Sequence, residues 1–347
     1  MPIGRRTATI SKESYAYTPG LKVKRTTRVS RIRRLPIPGD VYVEVGNKVD
    51  FDTIVARTCM RGDPEIIKAA MLLGVDFEKL PRYMTKKVGE GVGKDEIIAI
   101  YSMLFGLSKK HVTSPVQGTI ESISEVTGQV VVRRPPVPVE VDAYIPGKVT
   151  RVLPKQGATI ETTAAFIQGI FGIGGENHGK IELVVDSPDE ETTADHISST
   201  HKGAVLVGGS LITFDALKKA SQVGVACVTV GGVWPDDLAA FMGEDIGVAI
   251  TGQEEIGLSL IVTEGFGKIE MSQRTFELLK MFEGYTASVN GSTQIRAGVL
   301  RPEIVIPHSE SLIEPSEKEL AAGMVPGTSV RIIRAPHFGA IGTVTSL

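Results

Sequence analysis

The sequence predicts a β-rich α+β chain of several domains, and three observations carry that prediction. The first is internal repetition. Val45-Gly46-Asn47-Lys48-Val49-Asp50-Phe51-Asp52-Thr53-Ile54-Val55-Ala56 recurs as Val88-Gly89-Glu90-Gly91-Val92-Gly93-Lys94-Asp95-Glu96-Ile97-Ile98-Ala99, with six identical residues at identical spacing. Ile37-Pro38-Gly39-Asp40-Val41 recurs as Ile145-Pro146-Gly147-Lys148-Val149, and Gly118-x-Ile120-x-x-Ile123 closing at Gly128 matches Gly147-x-Val149-x-x-Val152 closing at Gly157. Phrases of this size mark one small β unit used several times. The second observation is the alternation of buried strands with amphipathic helices over residues 181–310, which gives an α/β sheet with right-handed crossovers. The third is a Gly-punctuated alternation over residues 324–347, which reads as a hairpin.

Composition sets the outer limits. With 347 residues, 42% apolar and 22% charged, the chain is long enough for two or three globular domains. Its 38 glycines and 19 prolines imply many turns, and its net charge of −2 excludes a polycation. Neither a CxxC nor a run near the ~20 apolar residues of a membrane span occurs. An apolar leader is also missing, so a cytoplasmic protein is expected. Cys59 and Cys227 sit among apolar neighbours and read as two buried free thiols.

Residues 1–35 form a basic segment with Glu13 as its only acid. An extended arm is expected there, packing along another surface and attracting polyanions through Arg5, Arg6, Arg31, Arg33 and Arg34.

Residues 36–180 carry the repeats. Val41-x-Val43-x-Val45 has the period of a strand, Val-Gly-x-x-Val turns the chain, and Ile54-Val55-Ala56 is the next strand. A helix is predicted over Pro64–Leu73, ended by Gly74. Pro135-Pro136-Val137-Pro138 reads as a rigid extended connector that cannot join a central sheet. Glycines 169, 172, 174, 175 and 179 form neither a Walker A motif nor a dinucleotide fingerprint; tight turns packing one domain on the next account for them.

Across residues 181–310, strands are expected at 181–185, 203–209, 224–232, 248–250, 258–262 and 294–299. Helices are expected over Thr213–Val223, Pro235–Met242 and Ser272–Met281, the last capped by Ser272. Ligands of such sheets gather at the carboxyl ends of the strands. Gly208, Gly209, Ser210, Glu264, Gly265 and Arg296 are therefore the candidates to hold a phosphate or carboxylate.

Two resemblances add to this reading. "VGEGVGKDEIIAI" with "VTSPVQGTIESI" and "TGQVVV" resembles the biotinyl/lipoyl-like barrel-sandwich hybrid, in which two half-motifs cross into a flattened β-sandwich. Similar phrasing occurs in subunits of sodium-pumping and Rnf-type electron-transfer complexes and in RNA polymerase modules. The carriers of that fold attach their cofactor to a Lys on a tight hairpin between the half-motifs. Lys109 and Lys110 lack that setting, so no cofactor is expected. Gly327-x-x-Val330-Arg331-Ile332-Ile333-Arg334 followed by Gly339-Ala340-Ile341-Gly342-Thr343-Val344 is similar to a KOW motif, a hairpin of SH3-like barrels. That resemblance implies partner contacts from Arg331 and Arg334. Over its whole length the chain resembles a bacterial KOW-containing family of hypothetical proteins.

The expected organisation is a basic arm (1–35), a barrel-sandwich hybrid (36–180), an α/β domain (181–310) and a partial KOW segment (324–347). The leading functional expectation is a non-catalytic scaffold or adaptor on a transcriptional or ribosomal machine, with protein, RNA or DNA as partner. Two alternatives stand beside it: a small-molecule enzyme or redox-complex subunit using the α/β domain, and a self-assembling structural protein, since β units with exposed edges pair between subunits. No catalytic triad and no metal-ligand spacing is visible; Asp195-His196 and His201, in a polar loop, read as solvated, and His178 beside Glu176 as either a polar site or plain surface.

Overall fold

The computed structural model describes residues 21–103, 108–243, 257–293, 300–309, 329–331 and 341–346. The chain begins with β1 (Val23–Arg34), whose C-terminal half alternates inward and exposed residues from Arg28 to Arg34. The described part of the basic segment is thus extended, and the surface it packs along is the chain's own sheet; residues 1–20 lie outside the described residues. Then follow β2 (Asp40–Val41), β3 (Lys48–Val49) and β4 (Ile54–Met60). The next stretch holds β5 (Pro64–Ile67), α1 (Ala69–Leu73), α2 (Leu80–Tyr83), β6 (Gly91–Val92), β7 (Ile97–Met103), β8 (Ser108–Thr113), β9 (Gly118–Ile123) and β10 (Val130–Arg133). The chain then returns to the first group with β11 (Val137–Asp142), β12 (Gly147–Leu153) and β13 (Gly157–Gln168).

This order is a duplication in which the second copy sits inside the first. In the outer copy Val49 pairs with Gly147, and in the inner copy Val92 pairs with Gly118. Ala56 pairs with Val141 and Ala99 with Val112, each beside an irregularity at the same place. Val149 faces Ile160 and Ile120 faces Val132, and both hairpins then skip one residue. Gly46 donates to the Val149 carbonyl and Gly89 to the Ile120 carbonyl. Both glycines stand in the left-handed region, at φ 97° and 89°, where a side chain is strained. The inner copy, from β5 to β10, occupies the connection between β4 and β11, the place that corresponds to the link between β7 and β8 in the inner copy. Each copy has its own core, with Val55, Ile145 and Ile160 in the outer and Leu80, Ile98 and Ile120 in the inner.

Three local expectations change. Pro64–Ile67 is a strand along β10, and the helix begins only at Ala69; the β-branched Ile66 and Ile67 fit an edge better than a helix. Val137 and Pro138 lie within β11, which tolerates proline because it is the edge of its three-stranded sheet. Cys59 is exposed on β4; only Cys227 is buried.

The second region follows with β14 (Phe171–Ile173), β15 (Glu176–Leu183), β16 (Glu191–Thr192), β17 (Val205–Val207), β18 (Leu211–Ile212), α3 (Phe214–Val223), β19 (Cys227–Val233) and α4 (Pro235–Met242). It ends with β20 (Ser259–Phe266), α5 (Gln273–Met281), β21 (Thr286–Asn290) and β22 (Glu303–Pro307). Strands β15, β17, β19 and β20 are parallel. Thr213 caps α3 by accepting from the Ala216 amide, Ser272 caps α5 by accepting from that of Thr275, and Gly224 ends α3 at φ 80°. Leu206, Val228 and Leu260 pack one face of the sheet with α3 and α4, while Val205, Cys227 and Ile261 pack the other with α5.

Strands β21 and β22 join this sheet to β13, so one thirteen-stranded sheet runs through both regions. The boundary expected at residue 180 falls inside β15. Near the C-terminus β23 (Ser329–Arg331) and β24 (Ile341–Thr343) pair antiparallel. The strands expected at 248–250 and 294–299 lie outside the described residues. Among the described residues no helix is long and apolar enough to cross a membrane.

Candidate functional site

A groove of about 660 Å³ runs along β1. Six cationic residues line it, namely Lys22, Lys24, Arg28, Arg31, Arg33 and Arg301, against the carboxylates of Glu176 and Glu303.

Two of the arginines are held from below. The Arg31 guanidinium donates to Glu303 through both Nε, at 2.8 Å, and Nη2. The Tyr144 hydroxyl donates to the same carboxylate at 3.3 Å. Burial, with Glu303 beside it, holds the Tyr144 phenol well above its ordinary range, so it stays a donor. Arg33 donates to both oxygens of Glu176, at 2.7 and 2.6 Å, and to the Asp142 carbonyl and carboxylate, at 2.8 and 3.0 Å. Burial opposes the Arg33 charge, but the two carboxylates outweigh it and its pKa is raised. Burial raises the Asp142 carboxyl despite the pull of Arg33. The guanidinium carbons of Arg31 and Arg33 lie 5.7 and 5.3 Å from the Phe166 and Tyr144 ring centroids. This cluster ties β1 and the outer copy to β15 and β22. Arg31 and Arg33 therefore hold the molecule together, while Arg28 and Arg34 stand exposed. Arg331 ends β23; Arg5, Arg6, Arg296 and Arg334 lie outside the described residues.

The structure brings Gly208, Gly209, Ser210, Glu264 and Gly265 to the carboxyl ends of the parallel strands, as expected. The crevice there is filled by the chain itself. Ser210 donates its amide to the Glu190 carbonyl, Ile269 donates to Ser210, and Met271 donates to Pro188. A Cβ on Gly208 would lie 2.0 Å from Thr192 Oγ1, and one on Gly209 2.2 Å from the Glu190 carbonyl. Ser210 Oγ donates to the Asp189 carbonyl at 2.6 Å, and Glu264 accepts from the Ser272 amide at 2.9 Å. Gly265 continues β20, opposite Gly232. These glycines permit close backbone approach, and the polar side chains fasten loops.

His196 and His201 are structural partners rather than solvated side chains. Thr193 donates its amide to His196 Nδ1 at 3.1 Å, and Ser198 donates to His201 Nδ1 at 3.2 Å. A ring nitrogen that accepts leaves the proton on Nε2, which faces Glu190 in one case and Glu182 in the other. The signal was a Thr or Ser three residues before each His, a capping box with His in the usual Glu position. His178 stacks on Phe51 of the outer copy at 4.8 Å. Lys109 and Lys110 lie exposed along β8. Among the described residues no three His, Cys, Asp or Glu side chains gather as a metal site. No family model, curated protein or solved structure matches the chain.

Proposed function

We propose that the chain is a non-catalytic scaffold that docks on a nucleoprotein machine, transcriptional or ribosomal, through the groove along β1 and the C-terminal hairpin. The carrying observation is the cationic excess of that groove. Its two carboxylates are taken up by Arg31 and Arg33, so Lys22, Arg28 and Arg301 keep their charge for a partner. The two nested copies support reading each as a barrel-sandwich hybrid, a rigid β body that carries the groove. The pairing of β23 with β24 supports the KOW-like hairpin as a second contact.

The test is co-sedimentation of the full chain with purified ribosomes, and with core RNA polymerase, between about 50 and 200 mM salt. Binding should weaken steeply over that range. The triple change Lys22→Glu, Arg28→Glu and Arg301→Glu should lower it at least about tenfold, since each charge reversed adds an unfavourable contact with phosphate or carboxylate. Salt-insensitive binding, or binding untouched by the triple change, contradicts the reading.

A further inference from the structure

Strand β1 is a one-sided strand. It pairs with β13 from Thr27 opposite Ala164 to Arg34 opposite Gly157, and among the described residues no strand pairs with its other edge. The direction of each main-chain group follows from one bond. Leu35 donates its amide to Gln156, so Val29, Arg31 and Arg33 bond toward β13 and Arg28, Ser30, Ile32 and Arg34 point outward. The pattern on β13 agrees, because Thr163 accepts from His308 on the side away from β1. The side chains of Arg28, Ser30, Ile32 and Arg34 are all exposed, Ile32 by 63%.

We propose that this edge takes an acidic, extended segment of a partner protein as its next antiparallel strand. The inference rests on the scaffold reading above and names the partner chemistry of the same site. Four outward amides at alternate residues offer donors to a ladder, and the Ser30 carbonyl, which already accepts from Arg31 Nη1 at 2.8 Å, has a second lone pair to share; main-chain bonds of this kind are how an extended peptide gains affinity at a sheet edge. Cross-strand pairing then sets the side chains, with an acid opposite Arg34, an apolar residue opposite Ile32, a small polar residue opposite Ser30 and an acid opposite Arg28.

Charge disfavours a second copy of the chain in the register that uses all four outward residues, since antiparallel self-pairing about Arg31 sets Arg28 against Arg34. The groove also suits single-stranded nucleic acid poorly. Such binding uses aromatic faces as stacking platforms. Here Phe166 and Tyr144 are only 8% and 4% exposed, and the guanidiniums of Arg31 and Arg33 lie against them.

The test uses the full chain and a labelled peptide with the core Asp-Thr-Val-Thr-Thr-Thr-Asp, its Lys-for-Asp counterpart, and a single-stranded oligoribonucleotide, all read by anisotropy. Ser30→Pro removes one outward amide while leaving the bonds to β13 intact, as edge positions allow. Arg28→Glu with Arg34→Glu is the second variant, which adds no backbone constraint. The acidic peptide should bind and the basic one should not. Ser30→Pro should weaken binding at least about tenfold at unchanged melting temperature, and the double charge reversal should abolish it. Acidic-peptide binding unmoved by Ser30→Pro overturns the proposal. So does oligoribonucleotide binding lost in the charge reversal, kept in Ser30→Pro and unmatched by the peptide, a result that leaves the scaffold reading standing. Failure of both anions to bind overturns both. A concentration-dependent dimer lost in Ser30→Pro assigns the edge to a second copy and overturns the acidic partner.

Discussion

The outer and inner copies share registers, turn glycines and bulges, yet they spend the same edge position differently. In the inner copy Ile67 lies opposite Val130 and closes the core. At the matching place in the outer copy, opposite Ala158, stands Arg33, and where the inner copy has Glu65 the outer has Arg31. The inner edge strand has four residues and the outer twelve. A closed unit needs only apolar side chains at its rim. A unit welded to a larger sheet needs directional partners there, and guanidiniums against Glu303, Glu176 and Asp142 supply them. The comparison teaches that a duplicated β unit can keep its turns and core while one edge becomes a joint and a docking surface.

The largest effects come from the cores. Ile120→Ala and Ile160→Ala remove fully buried side chains from opposite strands of the two equivalent hairpins, and each should cost about 2–5 kcal/mol. If the copies are separate bodies, hydrogen exchange after Ile120→Ala should rise over residues 64–133 and leave the α/β region protected. Ile160→Ala should spread along the shared sheet. Equal spread from both changes would break the comparison.

Next comes the joint. Arg33→Ile places the inner copy's residue in the outer copy and leaves Glu176 and Asp142 without their guanidinium. The cost should be about 1–3 kcal/mol, toward the low end because both carboxylates are partly exposed, read as a lowered melting temperature. A gain in stability would show that apolar packing suits both rims equally.

The duplication was legible in the sequence because it rests on turn glycines and on Val, Ile and Ala at fixed spacing. The nesting was not, because β4 meets β11 across more than seventy intervening residues, and no local pattern records which strand returns to which. Strand β1 was read as an arm because Arg at alternate positions hides strand periodicity from a hydrophobic scan, and its carboxylate partners lie far along the chain. The glycines at the α/β strand ends looked like a ligand cradle, since a close backbone approach and a cradle ask for the same residue. Helices α3 and α5 were legible from local caps and periodicity, and α4 from the proline at its start.

The two thiols separate the regions at smaller cost. Cys59 should react with a disulfide reagent in the folded chain, whereas Cys227 should react only on unfolding, because burial pushes its thiol up to about 12. A thiol raised on folding stabilises fully below its ordinary 9.0, and that stability is lost as pH climbs toward the raised value. Two fast thiols in the native chain would contradict the packing of β19.

The smallest expected effect belongs to Asp142. A carboxyl raised on folding contributes stability below its ordinary 3.8, and that contribution is lost as pH rises through the raised value. Asp142→Asn should therefore gain on the parent chain as pH rises from about 4 toward neutrality, in paired denaturant titrations. A loss over that range would mean that the attraction of Arg33 outweighs the cost of burial.

The open edge of β1 is tested most directly by residue-resolved amide exchange on the full chain, alone and with the acidic peptide. The account predicts slow exchange at Val29, Arg31 and Arg33 in both samples, and fast exchange at Arg28, Ser30, Ile32 and Arg34 that becomes slow only when the peptide is bound. Outward amides already protected in the free chain, or still fast in the complex, would contradict it.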